Sequence, residues 1–358
     1  MTTMLAARAN PDSLTVTLEK IEIPQPGPHD VLIKVASAGL APGMITLLAH
    51  GAFKHLPTTL GHEAAGTIAA VGADVPGLAE GERVRVHPNL TCRSCVYCRT
   101  DREQMCAQQA MIGHAGFGTG PMPLYERYHD GGLAEYVRVP YWLVDRIPDH
   151  VSFDVGAKVH DLANAVRALK TAGPLFGGTI VITAATGTMG TATIKLAHLF
   201  GASRLILVGR SAERLEAVRR LSAIPTETVA IEEGGDLTAR LRLLAPSGVD
   251  AVVDYLPTGP GIWQATAALA TGGTLVHMGG NYVPPPIPIG VIMANCWRII
   301  GTRSCTRTDA LQVLDLLDAG TLTADELITH RFPLADLGEA LTVMRDRSKP
   351  IWMSVVNP

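Results

Sequence analysis

Residues Gly178–Ser211 have the sequence GTIVITAATGTMGTATIKLAHLFGASRLILVGRS, and this stretch decides the fold of the chain. Its first part, Thr179–Thr183, is a short run of apolar and β-branched residues, the composition of a strand buried on both faces. Small residues follow up to Gly190, and the next segment has helical apolar spacing that Gly201 ends. A second strand-like run, Leu205–Val208, completes a βαβ unit.

The turn inside this unit contains candidate residues for binding a dinucleotide. Gly187, Thr188, Met189 and Gly190 lie where the following helix would present its amino-terminal backbone amides, which attract a pyrophosphate. The first glycine of the G-x-G-x-x-G pattern is missing, so the interpretation depends on the strand before the turn and the helix after it. These features predict a dinucleotide site rather than a turn that serves packing alone.

The end of the second strand predicts which dinucleotide binds. About twenty residues after the turn, an acidic residue would bind the ribose hydroxyls of NAD. Here the position is Gly209, and Arg210 and Ser211 follow it. Glycine leaves room for a 2′-phosphate and the arginine can pair with it, so the sequence favours NADP, with NAD as the alternative. In a simpler interpretation, Arg210 is a solvated loop residue.

Bulk properties exclude several classes of function. A chain of 358 residues with 47% hydrophobic and 18% charged residues is expected to form two compact domains. Its formal net charge of −3 gives no electrostatic basis for binding nucleic acid or an anionic membrane. The first residues lack the pattern of a signal peptide and no apolar stretch is long enough to span a bilayer, so we expect a cytoplasmic protein.

The pattern of secondary structure changes near residue 154. Residues 1–154 have the composition of strands and turns, with one short helix after Pro42. Residues 155–303 alternate between strands and helices, which predicts an α/β fold with a doubly wound parallel sheet. The predicted strands lie at 179–183, 205–208, 228–231, 249–254, 274–278 and 298–302. The segment from Gly279 to about Ala294 is too rich in proline for a helix and is predicted to be a ligand-binding loop.

Four of the six cysteines lie in one short segment. Cys92, Cys95, Cys98 and Cys106 have the spacing C-x2-C-x2-C-x7-C. Four thiolates this close in sequence can surround one tetrahedral Zn²⁺, and a site without an open position is structural. The alternative, four free thiols in a loop, would leave a cluster prone to oxidation. The sequence therefore predicts a structural zinc lobe.

Several motifs together resemble one family. They are Gly61-His62-Glu63 with Ala64-Ala65-Gly66, Gly81-Glu82-Arg83-Val84, Gly131-Gly132-Leu133-Ala134-Glu135-Tyr136 and Gly272-Gly273, besides the cysteine lobe and the nucleotide turn. Over nearly its full length the chain resembles a zinc-containing alcohol dehydrogenase of the medium-chain dehydrogenase/reductase superfamily. The resemblance implies a GroES-like catalytic domain over 1–154, a Rossmann domain over 155–303 and a segment 304–358 that returns to the catalytic domain.

The resemblance also implies a function and an assembly. Members of this family transfer hydride reversibly between NAD(P) and a small-molecule alcohol, aldehyde or ketone, and the chain is expected to form a homodimer or homotetramer. Arg307, in Thr306-Arg307-Thr308-Asp309, is expected near the cofactor, although a solvated arginine at a helix start is a competing interpretation. Asn164 and Gly279 are further candidates for contacting the cofactor.

The candidate catalytic zinc site departs from the family pattern. The position of the first ligand, a cysteine in the family, is Ala41, and the usual proton-relay hydroxyl falls on Gly43. Thr46 lies about where a second relay group would be. The histidine ligand matches His62, and the third ligand position matches His160, a residue type that can bind zinc.

Two hypotheses remain open for this site. In the first hypothesis, zinc is held by His62, Glu63 and His160, a set of two histidines and one carboxylate of a type that binds catalytic zinc. Alternatively the site has no metal, and His62, His160 or Asp161 supplies a proton directly. That both histidines fall on ligand positions argues against their being ordinary core residues.

The sequence thus favours an NADP(H)-dependent alcohol dehydrogenase or carbonyl reductase with an atypical catalytic site. A first alternative is a zinc-independent NADPH reductase of activated double bonds or quinones, which Ala41 and Gly43 suggest. A second alternative is a catalytically silent homologue that binds the nucleotide and performs no chemistry.

Overall fold

The computed structural model describes residues 2–11, 15–231, 234–346 and 350–358. The chain divides into two compact units. The first holds the chain up to His160 and from Cys305 onward, and the second holds Asp161–Ser304. A single helix, α4, therefore contributes residues to both units.

The elements of the first part of the chain are mostly strands. They are β1 (Thr3–Ala9), β2 (Val16–Glu22), β3 (Asp30–Gly39), β4 (Thr58–Thr59), β5 (Ala64–Val71), β6 (Arg83–Val86), β7 (Asn89–Leu90), β8 (Ala110–Met111), β9 (Tyr136–Pro140) and β10 (Val144–Arg146). The helices are α1 (Pro42–Ala49), α2 (Val96–Arg99), α3 (Pro123–Arg127) and α4 (Phe153–Ala172).

The second unit alternates strands and helices, and two more of each follow it. Its strands are β11 (Thr179–Ile182), β12 (Arg204–Gly209), β13 (Thr226–Ala230), β14 (Val249–Asp254), β15 (Leu269–His277) and β16 (Arg298–Gly301). Its helices are α5 (Thr188–Leu196), α6 (Ala212–Arg219), α7 (Leu237–Leu244), α8 (Gly261–Thr266) and α9 (Ile289–Ala294). The last elements are α10 (Arg307–Asp318), β17 (Ile328–Pro333), α11 (Leu337–Asp346) and β18 (Met353–Asn357).

The first unit is built around β3. Its main sheet has the order β10-β6-β5-β3-β18-β17, and β9 also pairs with β3. A second sheet has the order β2-β1-β4. The carboxyl-terminal strand β18 pairs antiparallel with the end of β3, where Val355 lies opposite Gly39. This pairing fixes the end of β3, from which the candidate active site is built.

The second unit has the predicted parallel sheet. Its strand order is β13-β12-β11-β14-β15-β16 and every pair is parallel. Ile180–Ile182 of β11 and Leu205–Val208 of β12 are fully buried, as strands covered on both faces must be. The six strands predicted from the sequence are confirmed, but β15 begins at Leu269 instead of residue 274, while the other ends shift by at most two residues.

The loop after β15 differs from its prediction. Prolines keep residues 284–288 out of regular structure, but α9 begins at Ile289, directly after Pro288. The segment Ile289–Ala294 contains no proline, so nothing in it prevents helical hydrogen bonds. Prediction from the proline content was therefore wrong for the last part of the loop. Within the described ranges, no helix combines the length and the apolar character that a membrane span requires.

Helix α10, which follows the return of the chain to the first unit, begins with a reciprocal cap. Thr306 Oγ1 accepts a hydrogen bond of 3.3 Å from the backbone N–H of Asp309. Asp309 Oδ2 accepts one of 2.9 Å from the backbone N–H of Thr306. This capping box satisfies two amides that the first turn of a helix would otherwise leave unpaired.

Replacing the capping hydroxyl tests this interpretation. Thr306→Val keeps the shape of the side chain and removes the acceptor, so we expect it to cost about 1–2 kcal/mol in the free energy of unfolding. Thr306→Ser keeps the hydroxyl, so its free energy of unfolding should fall much less. Thr308→Val, a matched change at the exposed neighbour, is the control. Thermal unfolding measures all three, and equal Tm values for Thr306→Val and Thr308→Val would contradict the cap.

Candidate active site and metal lobe

The four lobe cysteines converge on one point. Their sulfur atoms all lie within 4.8 Å of one another, and Cys95 Sγ is 3.5 Å from Cys98 Sγ. The backbone N–H of Cys95 donates to Cys92 Sγ at 3.3 Å, and that of Gln108 donates to Cys106 Sγ at 3.4 Å. Such donors stabilise thiolates, so this donor set fits a structural Zn²⁺ with no open position.

Two glycine–histidine pairs form the centre of the candidate active site. Gly61 and Gly113 have φ values of +103° and +57°. Gly61 N donates a hydrogen bond of 3.0 Å to Gly113 O. A Cβ at Gly113 would lie 2.6 Å from Gly131 Cα, too close for any side chain. Because only glycine permits this backbone contact, His62 and His114 are held next to each other.

His62 lies between two other histidine rings. Its ring centroid is 4.6 Å from that of His114 and 5.2 Å from that of His160, and both contacts are edge-to-face. Phe53 and Phe117 contact the His114 ring at 5.8 and 5.7 Å. The structure thus brings the two predicted histidines together. Sequence reasoning missed His114, although the second Gly-His dipeptide was a signal for it.

Burial keeps two of these imidazoles neutral. It lowers the pKa of His114 well below its usual value, and the His62 ring adds to this effect. Burial likewise lowers the pKa of His160 well below its usual value, with smaller contributions from neighbouring rings and two buried cations. Cys305 Sγ lies 3.4 Å from His160 Nδ1, and burial raises the pKa of this thiol. The cluster therefore gains no charge from these three groups near neutral pH.

Glu63 is paired with a cation that the sequence analysis did not identify. Its Oε2 accepts a hydrogen bond of 2.6 Å from Lys158 Nζ, and both side chains are buried. Its Oε1 is 4.0 Å from His62 Nε2. The carboxylate packs on Gly39, where a Cβ would lie only 2.0 Å from Oε2. Lys158, on the same helix as His160, therefore balances the charge of this carboxylate.

A zinc ion held by His62, Glu63 and His160 does not fit this arrangement. Ligand atoms about 2.0–2.2 Å from one tetrahedral ion must lie within roughly 4 Å of each other. Among the described residues, the lobe cysteines are the one group of three or more His, Cys, Asp or Glu that meets a 4.8 Å limit. Glu63 already binds Lys158, and the alanine at position 41 offers no ligand atom.

The other proposed residues of this site are placed as follows. Thr46 is exposed on α1, and its hydroxyl makes no hydrogen bond to the part of the chain that is described. Asp161 is buried directly after His160. Asn164 lies half-buried one turn further along α4. Roles of Thr46 and Asp161 in proton transfer, and of Asn164 in binding the cofactor, stay predictions.

Arg307 is held by acidic residues of the first unit. Its Nε donates to Asp145 Oδ1 at 2.8 Å, and its backbone N–H donates to Glu103 Oε1 at 2.8 Å. Asp145 also accepts a hydrogen bond of 3.3 Å from the buried Arg85. Sequence analysis did not predict this network. A role of Arg307 toward the cofactor stays a prediction.

The nucleotide turn in the second unit leaves the start of α5 open. Gly187 is the N-cap, and no side chain caps the helix. Gly187, Thr188 and Met189 are half-buried. A Cβ at Gly190 would lie 2.6 Å from the backbone of Ala185, so this glycine allows α5 to pack against the turn. A helix start without a capping side chain is a favourable place for an anion.

The end of β12 carries no carboxylate at the ribose-reading position. Gly209 is buried, and a Cβ there would meet Leu215 at 3.1 Å. Arg210 is exposed. Ser211 is the N-cap of α6, where its Oγ accepts a hydrogen bond of 3.3 Å from Arg214 N. An exposed arginine therefore stands beside a helix start.

A polar network at the ends of the parallel strands was not predicted. Asp254, at the end of β14, accepts a hydrogen bond of 2.5 Å from Thr183 Oγ1 and pairs with His277 Nδ1 at 2.7 Å. This network anchors the start of the loop after β15. A Cβ at Gly279 would lie 2.5 Å from the backbone of Tyr255, so glycine is required there for packing. Its contact with the cofactor stays a prediction.

Comparisons with known proteins agree with this architecture. Residues 27–149 match the family described as "Alcohol dehydrogenase GroES-like domain", and residues 188–319 match "Zinc-binding dehydrogenase". Sorbitol dehydrogenase of Gallus gallus is 28% identical over 328 residues, which cover 90% of this chain and 88% of the relative. D-xylulose reductase A of Aspergillus niger is 28% identical over 329 residues, which cover 89% of this chain and 87% of the relative.

A solved structure extends the similarity to the whole chain. A zinc-binding dehydrogenase from Sinorhizobium meliloti 1021, bound to NADP, has a TM-score of 0.87 and 27% identity, and the match covers 100% of both chains. The fold and motifs define a dehydrogenase with a GroES-like and a Rossmann domain. The chain belongs to the zinc-containing alcohol dehydrogenase-like family of the medium-chain dehydrogenase/reductase superfamily, and it is an oxidoreductase.

The glycine contact between the histidine pairs can be tested by adding one methyl group. Gly113→Ala combines a positive φ with a backbone clash, so we expect a loss of about 2–4 kcal/mol in the free energy of unfolding. Gly77→Ala is the matched control, because φ is +67° there and a Cβ would meet nothing within 4 Å. Chemical denaturation gives the free energy of unfolding of both variants. Equal losses of this free energy in Gly113→Ala and Gly77→Ala would show that the clash is relieved without cost.

Proposed function

We propose that the chain is an NADP(H)-dependent alcohol dehydrogenase or carbonyl reductase that acts on small secondary alcohols and ketones. The observation that carries the choice of cofactor is the end of β12, where position 209 is a glycine instead of an acid and exposed Arg210 follows it at the start of α6. The related sorbitol dehydrogenase and D-xylulose reductase support polyols and ketoses as the first substrates to test.

When bound, NADPH would supply a hydride for the reduction of a carbonyl group, and one proton from solvent would complete the alcohol. The start of α5 would hold the pyrophosphate of the cofactor. His62, as the central ring of the histidine cluster, is the candidate to contact the substrate oxygen and stabilise its developing charge. His160, which contacts Cys305, positions the His62 ring rather than exchanging protons itself.

A second candidate function has a specific basis in the structure. With Ala41 at the first ligand position and Glu63 bound to Lys158, the site also suits an NADPH reductase of activated double bonds or quinones. Initial rates of NADPH oxidation with a panel of ketoses and ketones and a panel of enones and quinones separate the two. Faster turnover of the second panel would replace the first proposal. Tight NADPH binding without turnover of either panel would indicate a silent homologue.

The cofactor proposal makes a quantitative prediction. Arg210→Ala should weaken NADPH binding by about 1.5–3 kcal/mol, because a charge-assisted contact to the 2′-phosphate is lost, and NADH binding should hardly change. Arg219→Ala removes another exposed cation of the same region and serves as the control. Fluorescence titration gives both binding constants. Parallel losses for the two cofactors would contradict the preference for NADP.

We also infer that the chain self-associates through the edge of the parallel sheet. β16 is one of the two edge strands of this sheet, and α9 beside it in sequence has no buried residue. Ile289 and Met293 of α9 are 79% and 76% exposed, and Tyr282 of the preceding loop is 96% exposed. An edge strand next to exposed apolar side chains suits a second copy of the same surface, as in a two-fold symmetric dimer.

A charge placed on this surface tests the assembly. Met293→Lys should shift the protein toward a monomer, because an ammonium cannot be buried cheaply in an apolar interface. Leu243→Lys, at an exposed leucine of α7, is the control and should keep the oligomer. Light scattering after size-exclusion chromatography gives the mass of each. A monomeric wild type would refute the inference.

A further inference from the structure

The buried pair of Lys158 and Glu63 determines how many metal ions this chain can bind. We propose that the lobe zinc is the single zinc ion of the protein, and that Lys158, as the partner of Glu63, occupies the place of a cation that a second zinc would otherwise take beside this carboxylate. The Nζ–Oε2 distance of 2.6 Å and the burial of both side chains carry this proposal. It deepens the proposed function, on which it rests, because it concerns the same site.

The position of Glu63 leaves its carboxylate little freedom. The side chain of Glu63 fills the space that a side chain at Gly39 would occupy. Its second oxygen lies 4.0 Å from His62 Nε2. If Glu63 turned to bind a metal, the buried ammonium of Lys158 would lose its 2.6 Å contact with this carboxylate. Breaking a buried ion pair costs far more than the pair itself contributes. The pair therefore competes directly with metal binding by Glu63.

Nearby charges also disfavour the binding of a second metal ion. The buried cations Arg85 and Lys158 both act electrostatically on His160. Arg85 pairs with Asp145 at 3.3 Å, which Arg307 also binds, and Lys158 pairs with Glu63. A divalent cation would be repelled by both residues and would find no thiolate at position 41 to attract it.

Lys158 is a positioning residue in this account, because it acts on His62 through Glu63. The ammonium holds the carboxylate ionised and in place, and the carboxylate faces His62 Nε2. Developing negative charge on a substrate oxygen is then stabilised by hydrogen bonds and by the fixed field of the protein.

Metal analysis of the purified protein tests the proposal directly. We expect one zinc ion per chain in the wild type, and still one in Ala41→Cys, because Lys158 remains bound to Glu63. Two ions per chain in either protein would overturn the proposal. The outcome is independent of the proposed activity. Two zinc ions with turnover of ketones would refute only this inference, whereas one zinc ion without turnover of any carbonyl would refute only the activity.

A double-mutant cycle tests the ion pair itself. Lys158→Met leaves Glu63 buried and unpaired, so we expect Tm to fall by about 6–15 °C. Adding Glu63→Gln should recover at least half of that loss, and Lys158→Arg should keep both Tm and the single zinc. Lys170→Met, at a half-buried lysine on the same helix, is the matched control. A Lys158→Met protein with the control's Tm, or with a second zinc ion and no loss of Tm, would overturn the proposal.

Discussion

A buried carboxylate imposes the main constraint on the first unit. Glu63 cannot stay ionised away from water without a cation, and Lys158 reaches it from α4. The carboxylate also needs space, which the absence of a side chain at Gly39 provides at the end of β3. Strand β18 pairs with that end, so the last strand of the chain supports the same point. Four distant segments therefore meet because one charge must be neutralised.

Glycines determine where the histidines lie. The contacts of Gly61, Gly113 and Gly131 bring three loops to backbone distance, and the residue after each of the first two glycines is a histidine. In the second unit, Gly190 and Gly279 have a similar effect on the turn before α5 and on the loop after β15. Close backbone approach, rather than flexibility, explains these glycines. The positions of the candidate binding residues follow from these close backbone contacts.

Local composition was enough to predict the parallel sheet, because strands covered on both faces are continuous apolar runs. The zinc lobe was predictable for a related reason, since its ligands lie in one short segment. The rest of the site depends on contacts between distant residues. Lys158 meets Glu63 across 95 residues, and Cys305 meets His160 across 145. No periodic pattern indicates such pairs, and a lysine in a helix is ordinarily exposed. Helix α9 was missed because the prolines before it dominated the interpretation.

The charges and burial around the histidine cluster bear on how proton and charge would be handled in each direction of the reaction. Alcohol oxidation needs a base, or a metal that lowers the pKa of the bound alcohol, before hydride can leave. Burial lowers the pKa of His114 and of His160, so both imidazoles are weak bases. Carbonyl reduction instead needs stabilisation of negative charge on oxygen, which ring N–H groups and the neighbouring buried cations provide. If Lys158 replaces a second zinc, the oxyanion of the transition state, which both directions of the reaction share, would be stabilised by ring N–H groups rather than by a metal.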